Sequence, residues 1–159
     1  MRWTLWPAMA ALAWLAAYYF VSRNNIRKFF SLALAGGLAL SFGVQLAGSA
    51  WFGLWRFTPA FPSVGGIPLF LPVVYTALVI LFAQYLPEGA GERVLYVTAF
   101  AGLALLVDWA LLLFGLVTFT GWNLLYTFFL GLANFGLVVA LYRVMHAGRA
   151  AAGGPSAGD

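Results

Sequence analysis

The chain has 159 residues, of which 64% are hydrophobic and 8% are charged, and its formal net charge is +4. A soluble domain carries roughly 25% charged residues, so this composition excludes a soluble globular fold and predicts that a lipid bilayer is the main partner. The basic residues stand at the ends of apolar segments, as in membrane-protein loops, and therefore do not indicate nucleic-acid binding. With no cysteine and one histidine, His146, the chain has no disulfide and no predicted metal site or cofactor.

The first apolar segment, from about residue 3 to residue 21, is expected to be a membrane-spanning helix. Arg2 precedes it, so a cleaved signal peptide is the alternative interpretation. The segment is rich in tryptophan and tyrosine, and it ends at Ser22 and Arg23 without a clear small-x-small cleavage site. These features favour a helix that is retained.

The second predicted helix runs from about residue 29 to residue 55, after a basic loop that ends at Lys28. Small side chains recur along it at every fourth position. This small-residue ridge consists of Ser31, Ala35, Ala39, Gly43 and Ala47. Such a ridge allows another backbone to approach closely, so we expect it to be a helix-packing face. The alternative is that alanine and glycine are simply frequent in this segment.

Three further helices are predicted, and proline, glycine and polar residues separate them. Pro68 is expected in the first turn of the third helix, and Pro72 is expected to kink that helix. The Ala/Gly-rich segment from residue 147 to residue 159 is expected to be a disordered tail outside the helical domain, which covers residues 1–146. The fold class is therefore all-α, a transmembrane bundle of five helices at about residues 3–21, 29–55, 67–86, 94–117 and 124–144.

The distribution of lysine and arginine predicts how the bundle is oriented. Arg2 and Arg56 fall on one side of the membrane. The other side has six basic residues, Arg23, Arg27, Lys28, Arg93, Arg143 and Arg149. Since cytoplasmic loops carry the excess of positive charge, the N-terminus is expected outside and the C-terminus in the cytoplasm.

One carboxyl group, that of Asp108, lies in the middle of a predicted helix. With a rise of about 1.5 Å per residue, Asp108 lies roughly 15 Å below the outer end of the fourth helix. Three other helices place a polar side chain at nearly the same depth. These side chains are Gln45, Tyr75 and Asn134. The sequence therefore predicts a polar layer near the bilayer midplane.

A charged carboxylate at the centre of a membrane helix costs about 2.5 to 3.5 kcal/mol, so Asp108 should face the bundle interior. Arg56 is the nearest candidate for a partner charge, although the span of roughly 15 Å exceeds an arginine side chain unless the loop dips. Two interpretations stay open. The polar layer either forms helix-to-helix hydrogen bonds, worth about 0.6 kcal/mol each, or lines a small cavity that binds a ligand, an ion or a proton.

The C-terminal half resembles a known family. Pro68 and Pro72 open one helix, Asp108-Trp109 is followed by Leu112, Phe114 and Gly115, and then come Thr120-Gly121-Trp122 and Tyr126. This order is similar to that of a family of small multi-pass membrane proteins of unknown function from Gram-positive, often spore-forming bacteria. The resemblance covers roughly residues 23–144 and implies a bacterial cytoplasmic membrane. The family's second helix often carries acidic residues where this chain has Gln45.

Three classes of function are compatible with the chain. The first, which the sequence favours, is a structural or accessory membrane protein that associates with itself or with a membrane-protein partner through the small-residue ridge. The second is a small transporter or channel component that uses the polar layer around Asp108. A membrane enzyme is the third and the least supported, because the sequence contains no acid/base pair, nucleophile motif or phosphate-binding loop. No catalytic residue is predicted.

Overall fold

The computed structural model describes the backbone of residues 4–152 and the side chains of residues 4–145. The predicted count of five helices is confirmed within that range. The helices are α1 (Leu5–Phe20), α2 (Arg23–Trp51), α3 (Phe70–Gln84), α4 (Ala90–Leu113) and α5 (Leu124–Ala152). Four short strands, absent from the predicted all-α fold, are β1 (Trp55–Phe57), β2 (Ser63–Val64), β3 (Ile67–Pro68) and β4 (Val117–Phe119).

Three helices are long and apolar enough to cross a membrane: α2, α4 and the part of α5 from Leu124 to Met145. The other two are apolar but shorter, with 16 residues in α1 and 15 in α3. At about 1.5 Å per residue each is roughly 23 Å long, less than the hydrocarbon thickness of about 30 Å.

Two predicted helix boundaries are wrong for identifiable reasons. The basic segment expected as a loop is the first turn of α2, because the Ser22 hydroxyl accepts a hydrogen bond from the Asn25 backbone N–H at 3.3 Å and caps the helix there. Pro68 belongs to strand β3 instead of the third helix. Pro72 then lies in the first turn of α3, where its missing N–H costs little.

The C-terminal end of α5 also differs from the prediction. The helix continues to Ala152, into the segment that was expected to be a disordered tail. The side chain of His146 and the remainder of that tail, residues 153–159, lie outside the described residues.

Helix α2 contains two stretches of wide, π-helical turns, Ala33–Ala39 and Leu46–Trp51, with a regular α-helical segment between them. The Leu40 N–H bonds to the Ala35 carbonyl and the Phe52 N–H to the Ala47 carbonyl, each five residues back. Wide turns of this kind are rare and are frequently found at functional sites. They change which residues of α2 share a face.

The loops alternate between the two ends of the bundle. At one end, which we call the basic end, the Tyr85 hydroxyl donates to the Phe20 carbonyl at 2.9 Å and the Asn25 amide donates to Gln84 Oε1 at 2.9 Å. At the opposite end, which we call the ribbon end, β1 pairs with β4 in an antiparallel ribbon. The basic residues segregate accordingly. Within the part of the chain whose side chains are described, Arg56 belongs to the ribbon end, and Arg23, Arg27, Lys28, Arg93 and Arg143 belong to the basic end.

The helices pack as α1 against α3, α3 against α2, and α4 against α5, with a further contact between α2 and α5. Phe82 of α3 is fully buried at the centre of the core toward the basic end. Its ring centroid lies 5.0 Å from those of Phe100 and Phe135 and 5.1 Å from that of Tyr96. These aromatic contacts join α3, α4 and α5 in one core.

Two glycines of α2 allow the closest approaches in the bundle. A Cβ atom at Gly37 would lie 2.5 Å from the Cα of Thr76 in α3, so the two backbones touch directly. A Cβ atom at Gly48 would lie 2.0 Å from Cη2 of Trp55, so the indole ring packs on bare backbone. Both contacts require a residue without a side chain.

The predicted small-residue ridge lies on a different face of α2 from these contacts. Ser31, Ala35, Ala39 and Gly43 are exposed, and Ala47 is half-buried. A Cβ atom at Gly43 would meet nothing within 4 Å. Most of the ridge is therefore open along the described part of the chain, and its role as a packing face stays a prediction.

The two kinds of glycine predict opposite effects of the same substitution. Gly37→Ala should lower the free energy of unfolding by about 1 to 3 kcal/mol, because the new methyl group overlaps the Thr76 backbone. Gly43→Ala should leave stability unchanged or raise it slightly, since alanine has the higher helix propensity. Unfolding of the purified variants in mixed micelles tests the pair, and equal stabilities would contradict the close approach at Gly37.

Candidate functional site

The ribbon end is closed by two strands that come from different parts of the chain. In the register of β1 and β4, Trp55 is opposite Phe119 and Phe57 is opposite Val117. The Thr58 hydroxyl adds a hydrogen bond between the same two segments by donating to the Gly115 carbonyl at 2.6 Å. Because side chains alternate along a strand, Trp55 and Phe57 share the inner face of the ribbon, and Arg56 points the other way.

Beneath the ribbon lies a cavity of about 70 Å³, bounded by α2, α3, α4, α5 and both strands of the ribbon. All four side chains of the predicted polar layer line it, each from a different helix: Gln45, Tyr75, Asp108 and Asn134. Asp108 therefore faces the bundle interior. Its neighbour Trp109 points outward and is about half exposed.

Several more side chains complete the wall of the cavity. Ser41 and Thr127 are buried polar residues at its edge. The aromatic part of the wall, toward the ribbon end, consists of Trp55, Phe57, Phe119 and Trp122. The indole rings of Trp55 and Trp122 meet edge to face, with ring centroids 5.2 Å apart. The cavity thus has a polar middle and an aromatic end.

Both indole N–H groups in the wall are satisfied within the protein. Trp55 Nε1–H donates to Gln45 Oε1 at 3.0 Å, and Trp122 Nε1–H donates to Thr127 Oγ1 at 2.9 Å. The Thr127 hydroxyl in turn donates to the Asn123 carbonyl at 3.1 Å. Gln45 and Thr127 therefore have a structural role, since they hold the two tryptophans in place.

The other three members of the polar layer make no such bonds. Within the described residues, the side chains of Tyr75, Asp108 and Asn134 have no hydrogen-bond or ion-pair partner in the protein, although Tyr75 and Asp108 interact electrostatically. Their polar atoms are not sealed off, because the only fully buried side-chain polar atom without a partner in this range is Trp6 Nε1. The hydroxyl, carboxyl and amide groups are open to the space of the cavity.

Arg56 does not supply the counter-charge that the sequence analysis considered for Asp108. Its side chain is exposed and does not line the cavity. The reason is the alternation of β1, which directs Arg56 away from the cavity that its two neighbours face. No other lysine or arginine lines the cavity in the part of the chain that the structure describes.

Several residues of the wall were not predicted from the sequence. Ser41 and Thr127 follow from helix periodicity, because Ser41 lies one turn before Gln45 and Thr127 lies two turns before Asn134. The aromatic residues of the ribbon do not, because their positions depend on the pairing of β1 with β4, two distant segments that were predicted as helix ends and loops.

The chemistry available in the cavity is that of binding. Among the side chains that the structure describes, one carboxyl group, one phenol, two amides and the hydroxyls of Ser41 and Thr127 line it. Nowhere among the described residues do three histidine, cysteine or acidic side chains come together as metal ligands. The group offers hydrogen-bond donors and acceptors and one carboxyl group.

No protein-family model, curated protein or solved structure matches the chain.

The hydrogen bonds predict which polar residues stabilise the fold. Gln45→Leu should lower the free energy of unfolding by about 1 to 3 kcal/mol, because it leaves the buried Trp55 N–H without its acceptor. Tyr75→Phe should change stability little, since the lost hydroxyl has no protein partner. Unfolding titrations in mixed micelles measure both variants, and a larger loss for Tyr75→Phe than for Gln45→Leu would contradict this assignment.

Proposed function

We propose that this chain is an integral membrane protein that binds a small polar ligand or ion in the cavity around Asp108. One observation carries the proposal. Three polar side chains from three helices, Tyr75, Asp108 and Asn134, line the same cavity without a hydrogen-bond or ion-pair partner among the described residues. Buried polar groups are ordinarily paired within the protein or with ordered water, so unpaired groups that converge on a cavity favour an external partner.

The proposal includes a topology. All five helices cross the membrane, with the N-terminus outside and the C-terminus in the cytoplasm, as the segregation of basic residues supports. The short helices α1 and α3 cross where the bilayer thins locally. The exposed leucine, phenylalanine and tryptophan side chains on the flanks of the bundle support contact with lipid. The resemblance to a family of Gram-positive bacteria favours the bacterial cytoplasmic membrane.

Binding is favoured over a purely structural role for the polar layer because of its hydrogen bonds. In the structural interpretation, each midplane polar group bonds to a neighbouring helix. Of the four members of the polar layer, Gln45 alone makes a side-chain hydrogen bond to a described residue, and it bonds to the ribbon. For Tyr75, Asp108 and Asn134, the described part of the chain provides no bond that would offset their cost in the membrane.

The two roles predict opposite signs for the same substitution. If Asp108 serves a ligand, then Asp108→Leu should raise the free energy of unfolding by about 1 to 3 kcal/mol, because leucine is favoured over aspartate at the centre of a membrane helix. Asp108→Asn should stay within about 1 kcal/mol of the native chain.

Unfolding of both variants in mixed micelles provides the measurement. The matched control is Glu92→Gln, which removes an exposed carboxyl group from the first turn of the same helix. If Asp108→Leu lowered stability as much as Gln45→Leu does, Asp108 would be a structural residue, and the binding proposal would fail.

The cellular role that we propose for such a binding cavity is transport of its ligand across the membrane. A small transporter or channel component places its binding site near the midplane, where Asp108 is expected to lie. The chain has no internal repeat of the kind that transporters use, so we infer that it would act in an oligomer or with a membrane-protein partner.

A second candidate function, that of an accessory protein that binds another membrane protein, is favoured by the exposed small-residue ridge of α2. A shallow groove follows the ridge along Ala35, Ala39, Gly43 and Ala47, with Leu141 of α5 at its side. Small residues in such a groove permit close helix packing in membranes.

The ridge predicts a loss of association on substitution. Gly43→Leu should reduce association at least about tenfold, because a side chain at this position fills the groove. Gly136→Leu is the matched control, since Gly136 is exposed on α5 and a Cβ atom there also meets nothing within 4 Å. Energy transfer between labelled chains in vesicles measures association. Unchanged transfer for Gly43→Leu would exclude this face as an interface.

A further inference from the structure

The cavity also indicates what charge its ligand carries. The wall has one acidic side chain, Asp108, and the structure places no basic side chain beside it. The free groups around it are rich in acceptors: the two carboxyl oxygens, the phenol oxygen of Tyr75 and the amide oxygen of Asn134. An anion would meet these oxygens with no positive charge to offset them. A cation would supply the counter-charge that Asp108 lacks.

The aromatic end of the cavity narrows the choice of cation. Since the N–H groups of Trp55 and Trp122 are already bonded to Gln45 and Thr127, the two indoles can offer a ligand only their π-systems. Tryptophan is the best side chain for attracting a cation to its ring face. Metal cations instead prefer a full shell of oxygen ligands, and calcium takes six to eight of them. A cavity with one carboxyl group and an aromatic wall is better suited to an organic ammonium ion.

The size of the cavity is compatible with a small ion. A cavity of about 70 Å³ exceeds the roughly 10 to 15 Å³ that a single water needs, so it admits an ion of a few heavy atoms. A primary ammonium group has three N–H donors. The acceptors that line the cavity at Tyr75, Asp108 and Asn134 come from three different helices.

We propose that the cavity binds a small cation with N–H donors, ammonium or methylammonium, with Asp108 as counter-charge, Tyr75 and Asn134 as acceptors, and the Trp55 and Trp122 rings as the apolar wall. This proposal rests on the proposed binding function and names the class of its ligand. Each part of the ion then has a partner: the charge has the carboxylate, the N–H groups have oxygen acceptors, and the methyl group has the aromatic end.

The test uses the full chain, purified in detergent, with methylammonium chloride as the probe. A ligand that binds only the folded chain raises its melting temperature in a concentration-dependent way. At constant chloride concentration, methylammonium and ammonium should bind at least about tenfold more tightly than potassium or tetramethylammonium. Potassium and tetramethylammonium both lack N–H donors. Equal stabilisation by all four cations, or none by methylammonium, would overturn the proposal.

Variants then connect binding to the cavity. Asp108→Asn should weaken methylammonium binding at least about tenfold. Tyr75→Phe should weaken it severalfold while the chain stays folded, so it keeps the test decisive if Asp108→Asn does not fold. Glu92→Gln, the carboxyl control outside the cavity, should bind as the native chain does. Native affinity in both cavity variants would refute the assignment.

The outcome for the ammonium ligand can be distinguished from the outcome for the proposed binding function. If methylammonium fails to bind while Asp108→Leu still stabilises the chain, the ammonium assignment is refuted and the binding role of Asp108 remains supported. If Asp108→Leu destabilises the chain, both proposals fail.

Discussion

Two contacts on α2 that only glycine permits determine the geometry of the whole bundle. At Gly37 the helix touches the backbone of α3, and at Gly48 it receives the indole ring of Trp55. The cavity-facing residues Ser41 and Gln45 lie between these two positions. Because α2 is held close to its neighbours above and below this segment, the space beside Ser41 and Gln45 is enclosed by protein. The alternation of wide and regular turns along α2 places both glycines and both polar residues against other parts of the chain.

The ribbon of β1 and β4 supplies hydrogen bonds to backbone groups that the helices leave unpaired. A chain leaving a helix exposes backbone N–H and C=O groups, and these are costly near hydrocarbon unless they are bonded. Pairing of β1 with β4 satisfies them, and the Leu54 carbonyl also accepts from the N–H groups of Thr120 and Gly121 at 2.9 and 3.1 Å. The same pairing brings Trp55 and Phe119 together over the cavity. The same strand pairing therefore satisfies the backbone groups and positions the aromatic wall.

Helix periodicity predicted much of this architecture, and chain topology determined what it missed. Hydropathy located all five helices, and depth counting selected Gln45, Tyr75, Asp108 and Asn134, which line one cavity. Both steps use local sequence, where rise per residue and apolar content are sufficient. The small-residue ridge shows the limit of such reasoning. A spacing of four identifies small residues on one face, but it does not identify which face a neighbouring helix uses. Gly37 makes the close contact and lies outside that spacing.

The strands show a second limit of local reasoning. Pro59, Pro62 and the Gly65-Gly66 pair indicate that the helix ends, and the sequence analysis correctly excluded a helix there. Nothing in that segment indicates that it pairs with residues about sixty positions later in the chain. The position of Arg56 depends on this pairing, so its exposure could not be predicted from the sequence. A single residue of shift in the ribbon would place Arg56 inside and Trp55 outside.

The polar groups around the cavity form two sets. One set is hydrogen-bonded within the protein and supports the fold, and the other is the set to which we assign binding. Gln45 and Thr127 each accept a hydrogen bond from an indole, which fixes both tryptophans before any ligand arrives. Fixing the wall in advance lowers the ordering cost that a ligand would otherwise meet on entry. Asp108, Tyr75 and Asn134 are held only by their helices, and their polar ends stay free. Had the chain needed these three groups for stability alone, apolar residues would have filled the same space at lower cost in the membrane. The ligand that we propose for the cavity would account for the cost of keeping them.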